Sequence, residues 1–179
     1  MKKGFHLLPF VLIACGALAT FAGAEELKVG EKAPDFTLPA SDGKTYKLAD
    51  FKGKEAVVLA WFPKAYTRGC TIECKSLAEH GDLIKKYNAK YFMVSVDALD
   101  DNKGFAEQQH ADFPLLADPA KKTAEAYGVL GQNGLANRWT FYIGTDGKIV
   151  AIDKEVKPAT SAEDMLSKLS ELKVTMKKG

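Results

Sequence analysis

Cysteine is scarce, with three in 179 residues. That is too few to staple a disulfide-built scaffold or to ligate an array of zinc ions. Histidine is equally scarce: His6, His80 and His110. Neither His80 nor His110 has a second ligand at metal spacing, so both read as surface or interface residues, and no metal is expected. An excess of charge of one sign is also missing. The formal net charge is +2, and Lys2 and Lys3 account for it, because no acidic residue precedes Glu25. From Glu25 onward the chain carries 23 basic and 23 acidic residues. Such a neutral domain has no field to draw in nucleic acid or acidic lipid. Internal repeats and low-complexity tracts are absent. What remains is 46% apolar, 27% charged and 10% aromatic, the composition of a soluble globular domain. It excludes a disordered tail, a fibrous repeat and a polytopic membrane protein.

Residues 1–24 read as an export signal. Lys2 and Lys3 form a positive start, Leu7 to Phe21 is apolar apart from Thr20, and Ala22-Gly23-Ala24 is a small-residue cleavage site. The run is shorter than the roughly 20 residues a spanning helix needs, and Pro9, Gly16 and Gly23 interrupt it. A retained anchor is the alternative, and no stable membrane association is expected. Leu12-Ile13-Ala14-Cys15 offers a second alternative, a lipoprotein anchored at Cys15, although the segment after Cys15 stays apolar. Cleavage after Ala24 leaves two cysteines, Cys70 and Cys74, in a compartment that permits disulfides. The expected location is therefore outside the cytoplasm, in the periplasm.

Residues 25–179 read as one domain. Asp35–Leu38 and Lys44–Leu48 alternate around Ser41-Asp42-Gly43, a hairpin pattern. Residues 56–62 are continuously apolar and partly β-branched, which predicts a buried parallel strand ended by Pro63. A helix is expected from Gly69-Cys70 to about Tyr87, a strand over Tyr91–Val96, and a helix over Asp101–Gln109. Asp118-Pro119 is an N-cap followed by proline at the first helical position, starting a helix to Tyr127 with Gly128 as its stop. Thr140–Ile143 and Ile149–Ile152 form a hairpin through Asp146-Gly147. Thr160-Ser161-Ala162-Glu163 reads as a capping box, opening a helix with Met165, Leu166, Leu169 and Leu172 on one stripe. Parallel strands first and an antiparallel hairpin last predict an α/β, thioredoxin-like fold. Its central mixed β-sheet is flanked by helices and carries an N-terminal β-hairpin extension.

The chemistry concentrates in Pro63-Lys64-Ala65-Tyr66-Thr67-Arg68-Gly69-Cys70-Thr71-Ile72-Glu73-Cys74. Cys70 falls where a loop enters a helix after a buried strand. Unsatisfied N–H groups and the positive end of the helix dipole favour a thiolate at such a place. Thr67 supplies a hydroxyl within reach of the sulfur, and Gly69 permits close backbone approach. A buried structural thiol is the alternative, since most cysteines are inert.

Pro63-x-x-x-Thr67-x-x-Cys70-x-x-Glu73 resembles the signature of the peroxiredoxins. Ala33-Pro34-Asp35-Phe36-Thr37-Leu38 is similar to that family's N-terminus, and Arg138-Trp139-Thr140-Phe141 to its arginine-bearing strand start. The details look most like the Q-type, bacterioferritin-comigratory branch. The resemblance implies a thiol peroxidase that reduces hydrogen peroxide and organic hydroperoxides without cofactor. Cys70 would be the peroxidatic cysteine, oxidised to a sulfenic acid. Arg138 would stabilise the thiolate and polarise the peroxide. Thr67 would hydrogen-bond the reacting oxygen, Pro63 would shield the site, and Glu73 would hold arginine side chains. A thioredoxin-like or other thiol partner would return the reducing equivalents, and the protein would be a monomer or homodimer.

Two departures bear on this. Cys74 lies four residues after Cys70, where the branch usually has its resolving cysteine at five. Cys70, Cys74, Leu77, Gly81 and Ile84 fall within about 40° of one helical line, so Cys74 faces the core. It reads either as a packing residue or as a resolving cysteine that forms a disulfide after local unwinding. At this spacing the two Cα atoms stand roughly 6 Å apart in an intact helix. If Cys74 does not resolve, an external thiol would. Arg68 stands where the family commonly has proline, and is expected to point to solvent. Two rival readings share the thioredoxin-like fold. A thiol–disulfide oxidoreductase would use C-x-x-C, and the spacing here is C-x-x-x-C. A Sco-like copper metallochaperone fits that spacing but needs a downstream histidine, and none follows His110.

Overall fold

The computed structural model describes residues 26–177. The signal reading of residues 1–24, its cleavage site and Cys15 lie outside the described residues.

Seven strands and five helices follow one another along this stretch. β1 (Thr37–Pro39) and β2 (Thr45–Lys47) form the expected antiparallel hairpin, with Leu38 opposite Tyr46. The main sheet contains β3 (Ala56–Trp61), β4 (Ala89–Ser95), β5 (Leu115–Ala117), β6 (Thr140–Ile143) and β7 (Ile149–Asp153). Their spatial order is β5-β4-β3-β6-β7. β3, β4 and β5 run parallel, whereas β6 pairs antiparallel with both β3 and β7. This is the mixed sheet the sequence predicts.

Alternation in β3 divides the interior in two. Val57, Leu59 and Trp61 join Phe92, Tyr127 and Phe141 on one face, where the hairpin residues Phe36 and Leu38 also pack. Val58, Ala60 and the following Phe62 join the other face, with Cys70, Cys74, Leu77, Phe105 and Met165. That second face is covered by α1 (Arg68–Glu79), α2 (Gly81–Ile84), α3 (Leu99–Gln108) and α5 (Ser161–Glu171). α4 (Lys122–Ala126) lies on the first. Each fully buried Leu, Ile, Phe or Met side chain contributes about 1.5–3 kcal/mol of transfer free energy.

Four local expectations need correction. The helix after Cys70 does not run unbroken to Tyr87: it stops at His80 and restarts as the single turn α2. A Cβ at Gly81 would stand 2.6 Å from an Asp112 carboxylate oxygen, so any larger residue would have to displace that side chain, and glycine is itself a weak helix former. Asp118-Pro119 does not open a helix. It forms a turn through Lys121, whose φ is +61°, and α4 starts only at Lys122. Asp118 still accepts the Ala124 N–H at 2.8 Å. Gly128 does end α4, at φ +66°, with Gly128 N–H on Glu125 O and Val129 N–H on Ala124 O, a Schellman pair. The capping box at Thr160 is not made: Thr160 Oγ1 donates to Asp164 Oδ2, and Glu163 faces His80 instead. Finally, β5 was not anticipated, because three residues are too short a run for a periodicity to appear.

Candidate active site

Two neighbouring strands of the sheet deliver the site. β3 ends at Trp61 and hands the chain to Phe62, Pro63 and the loop that enters α1. β6 begins at Thr140, immediately after Arg138 and Trp139. Trp61 N–H donates to Trp139 O at 2.9 Å. That bond extends the β3–β6 register to the mouth of the loop, so Arg138 and Cys70 meet although 68 positions separate them.

Cys70 is the third residue of α1. Its sulfur sits in the first turn, where backbone N–H groups lack helical partners and the dipole is positive. Cys70 is fully buried. Arg138 Nη2 donates to Cys70 Sγ at 3.2 Å. Arg138 Nη1 donates to Glu73 Oε2, a charge-assisted contact. The guanidinium therefore spans one helical turn, from sulfur to carboxylate, with 18% of its side chain exposed. Gly69 makes this approach feasible: a Cβ there would stand 3.1 Å from Arg138 Nη2.

Glu73 is buried, and its Oε1 has no hydrogen-bond partner among the described residues. Burial pushes its carboxyl up to about 7, against the pull of the Arg138 charge and hydrogen bond. Burial works most strongly against the Arg138 cation, but the charges and hydrogen bonds of Glu73 and Cys70 together outweigh it and the guanidinium is held more firmly charged. The native state thus keeps a proton on Glu73 at pH values where the unfolded chain, near 4.5, has lost it. The contribution of Glu73 to stability therefore falls as pH rises through that window. Glu73→Gln keeps an acceptor for Arg138 and removes the titration. Its urea midpoint is expected to change less between pH 4.5 and pH 8 than that of the wild type. The difference between the two pH responses should be on the order of 1–3 kcal/mol. Equal pH responses in the two proteins would show that Glu73 does not titrate in this window.

The remaining sequence candidates occupy the loop before α1, α1 itself and more distant segments. Thr67 is the N-cap of α1 but makes no side-chain cap; its Oγ1 donates to Lys64 O at 2.9 Å. With its proton committed there, the Thr67 oxygen keeps lone pairs that can accept. Pro63 is half-buried at the start of the loop, and Arg68 is exposed. Cys74 is fully buried one turn below Cys70, and both are thiols. Burial, the Glu73 charge and Cys70 push the Cys74 thiol up to about 12. Cys74, Leu77 and Ile84 share one buried face, as their spacing predicts. His80 contacts Ser76 O and Glu163, and His110 is exposed.

The sequence does not announce Tyr66 or Asp97. Tyr66 adopts φ +65°, a conformation that costs a bulky residue about 1–3 kcal/mol. Asp97 Oδ2 accepts the Ala65 N–H at 2.9 Å. One signal was available: Gly104 lies in the middle of α3, and a mid-helix glycine often marks a close approach.

Comparison with known proteins follows the same lines. Residues 29–152 match the AhpC/TSA family. The chain is 33% identical over 152 residues to Peroxiredoxin Bcp of Escherichia coli, covering 81% of this chain and 97% of that one. It is 31% identical over 153 residues to Peroxiredoxin Bcp of Bacillus subtilis, covering 82% and 97%. Among solved structures, the peroxidoxin BcpB of Mycobacterium tuberculosis superposes with a TM-score of 0.74 at 30% identity, covering 82% of this chain and 99% of that one. A bacterioferritin comigratory protein of Xanthomonas campestris, described for its alkyl peroxide reduction activity, superposes with a TM-score of 0.74 at 25% identity, covering 81% and 99%.

Proposed function

This chain belongs to the AhpC/TSA family and is a peroxiredoxin of the Bcp, or Q, branch, a thiol peroxidase; on that premise we propose how its own residues carry the reaction. Cys70 is the peroxidatic cysteine. The observation that carries this is the contact of Arg138 Nη2 with Cys70 Sγ, at 3.2 Å, in the first turn of α1.

The Cys70 thiolate attacks the outer oxygen of hydrogen peroxide or an organic hydroperoxide. The S–O bond forms as the O–O bond breaks. Sulfur is oxidised to a sulfenic acid, which keeps the peroxide's hydrogen, and the departing hydroxide or alkoxide takes a proton from water. Arg138 stabilises the thiolate and then the charge that moves onto the departing oxygen. Glu73 holds Arg138 across the turn. Thr67 accepts the peroxide O–H, and Pro63 keeps water from the sulfur.

Cys74 is a packing residue while the protein is reduced, since a buried thiol pushed up to about 12 is a poor nucleophile. It becomes the resolving cysteine once the start of α1 unwinds. Its thiolate then attacks the Cys70 sulfenic sulfur and releases hydroxide, which water's protonation equilibrium converts to water, leaving a Cys70–Cys74 disulfide. A thioredoxin-like or other thiol reductant restores both thiols. We propose that residues 1–24 act as an export signal and that the cycle runs in the periplasm, with anchoring at Cys15 as the alternative.

The test is the intact mass of the reduced mature protein after one equivalent of hydrogen peroxide at neutral pH. Rapid loss of two hydrogens is expected, and Cys74→Ala should convert it to a gain of one oxygen. A gain of one oxygen in the wild type would leave Cys74 a packing residue and assign resolution to an external thiol. No change within minutes would overturn Cys70 as the reacting thiol.

A further inference from the structure

The loop from Pro63 to Thr67 leads directly into α1, which carries Cys70, and one of its residues is in a conformation it would not adopt unaided. Tyr66 stands at φ +65°. With its ring half in solvent, at 52% exposure, the loop needs another source of order.

Besides the Thr67–Lys64 bond inside the loop, it is held by the segment from Asp97 through α3. Asp97 Oδ2 accepts the Ala65 N–H at 2.9 Å. Tyr66 Oη donates to Asp101 O at 3.3 Å, and its ring meets Phe105 edge-on at 5.3 Å between centroids. Gly104 leaves the space this requires: a Cβ there would stand 2.6 Å from Tyr66 Oη. Asp97 is itself held from behind. Its N–H donates to Ser95 Oγ at 3.2 Å, and Ser95 Oγ donates to Asn102 Oδ1 at 3.1 Å. Asn102 Nδ2 donates to Leu116 O at 3.0 Å. Ser95 and Asn102 are fully buried. This chain of bonds ties the Asp97 backbone, from which the carboxylate projects, to β4, α3 and β5 at once.

We infer that Asp97 is a positioning residue: through the Ala65 N–H, and together with the Tyr66 contacts on α3, it fixes the Pro63–Thr67 loop against Cys70. The inference rests on Cys70 as the reacting thiol. Asp97 contacts neither the sulfur nor Arg138; it acts through the loop backbone. Releasing it lets Tyr66 relax toward negative φ and carries Thr67 out of line with the sulfur. Misplacement by about 1 Å costs a reaction of this kind on the order of 10²-fold.

The experiment compares Asp97→Ala, Asp97→Asn and Gly104→Ala with the wild type, all as the full mature protein. Three quantities are read: the second-order rate constant with hydrogen peroxide, the thiolate absorbance of Cys70 against pH, and the far-ultraviolet circular dichroism. D97A is expected to slow the reaction roughly 10- to 100-fold with the thiolate titration unmoved, because the Arg138 contact is intact. D97N keeps an acceptor oxygen and is expected to recover to within about threefold of the wild type. G104A displaces Tyr66 Oη at no cost to helix propensity, so it should fold even if D97A does not. It should slow the reaction with the titration again unmoved. A wild-type rate in D97A or G104A overturns the inference. A thiolate titration that shifts in D97A does so too, since it would make Asp97 an electrostatic neighbour of the sulfur. A wild type that does not consume peroxide would instead count against Cys70 itself.

Discussion

Cys70→Ser is expected to end peroxide consumption, with a fall on the order of 10⁴-fold or more. A serine hydroxyl is scarcely ionised at neutral pH, and the thiolate is the form that attacks. Neither the helix terminus nor the guanidinium can close that gap, because each contributes only a few kcal/mol. Stability should change little by comparison. The serine oxygen can still accept from Arg138, so the buried position keeps a polar partner and the cost is about 1 kcal/mol. A peroxide-consumption assay paired with thermal unfolding separates the two effects. Retained consumption in a folded Cys70→Ser protein would transfer the nucleophile's role to Cys74. That thiol is disfavoured as a thiolate by burial and by the charge of Glu73.

The sequence carried the outline of this site because its parts are tied to simple local rules. β3 is legible as an apolar run ended by a proline. Cys70 is legible as a thiol at a loop-to-helix junction, and the burial of Cys74 follows from the helical period. The pairing of Arg138 with Cys70 is of another kind. No periodicity connects positions 68 apart, and only the resemblance of Arg138-Trp139-Thr140-Phe141 to a known strand start suggested it. The register of β3 against β6 is what realises it. The break at His80 and the turn after Asp118 were illegible for a related reason. Gly81 and Lys121 look unremarkable in sequence, and it is Asp112, arriving from a distant segment, whose carboxylate fills the space beside Gly81. The bond from the Ala65 N–H to Asp97 joins groups 32 positions apart and has no sequence pattern.

Arg138→Ala is expected to slow peroxide reduction by about 10²–10³-fold, the effect of deleting one preorganised donor aimed at developing charge. The guanidinium donates to the sulfur, and in the proposed reaction it also donates to the departing oxygen as the O–O bond breaks, so its loss should weaken both ends of the reaction. The thiolate absorbance at neutral pH should fall as well. Lysine at this position keeps the charge but cannot span Cys70 and Glu73 with two donors of one rigid fork, so Arg138→Lys should recover only part of the rate. The stability of Arg138→Ala carries a second signature. Glu73 is left buried without its partner, and a stranded buried charge costs about 3–5 kcal/mol. Protonation relieves that cost. Burial already pushes Glu73 up, and removing the cation pushes it further, so the deficit should be small near pH 5 and grow toward pH 8. Adding Glu73→Gln to Arg138→Ala removes the stranded carboxylate. The double variant should regain stability at pH 8 and regain none of the rate. If the rate returned with the stability, Arg138 would be acting only through the packing of α1, and its contact with the sulfur would carry no chemistry.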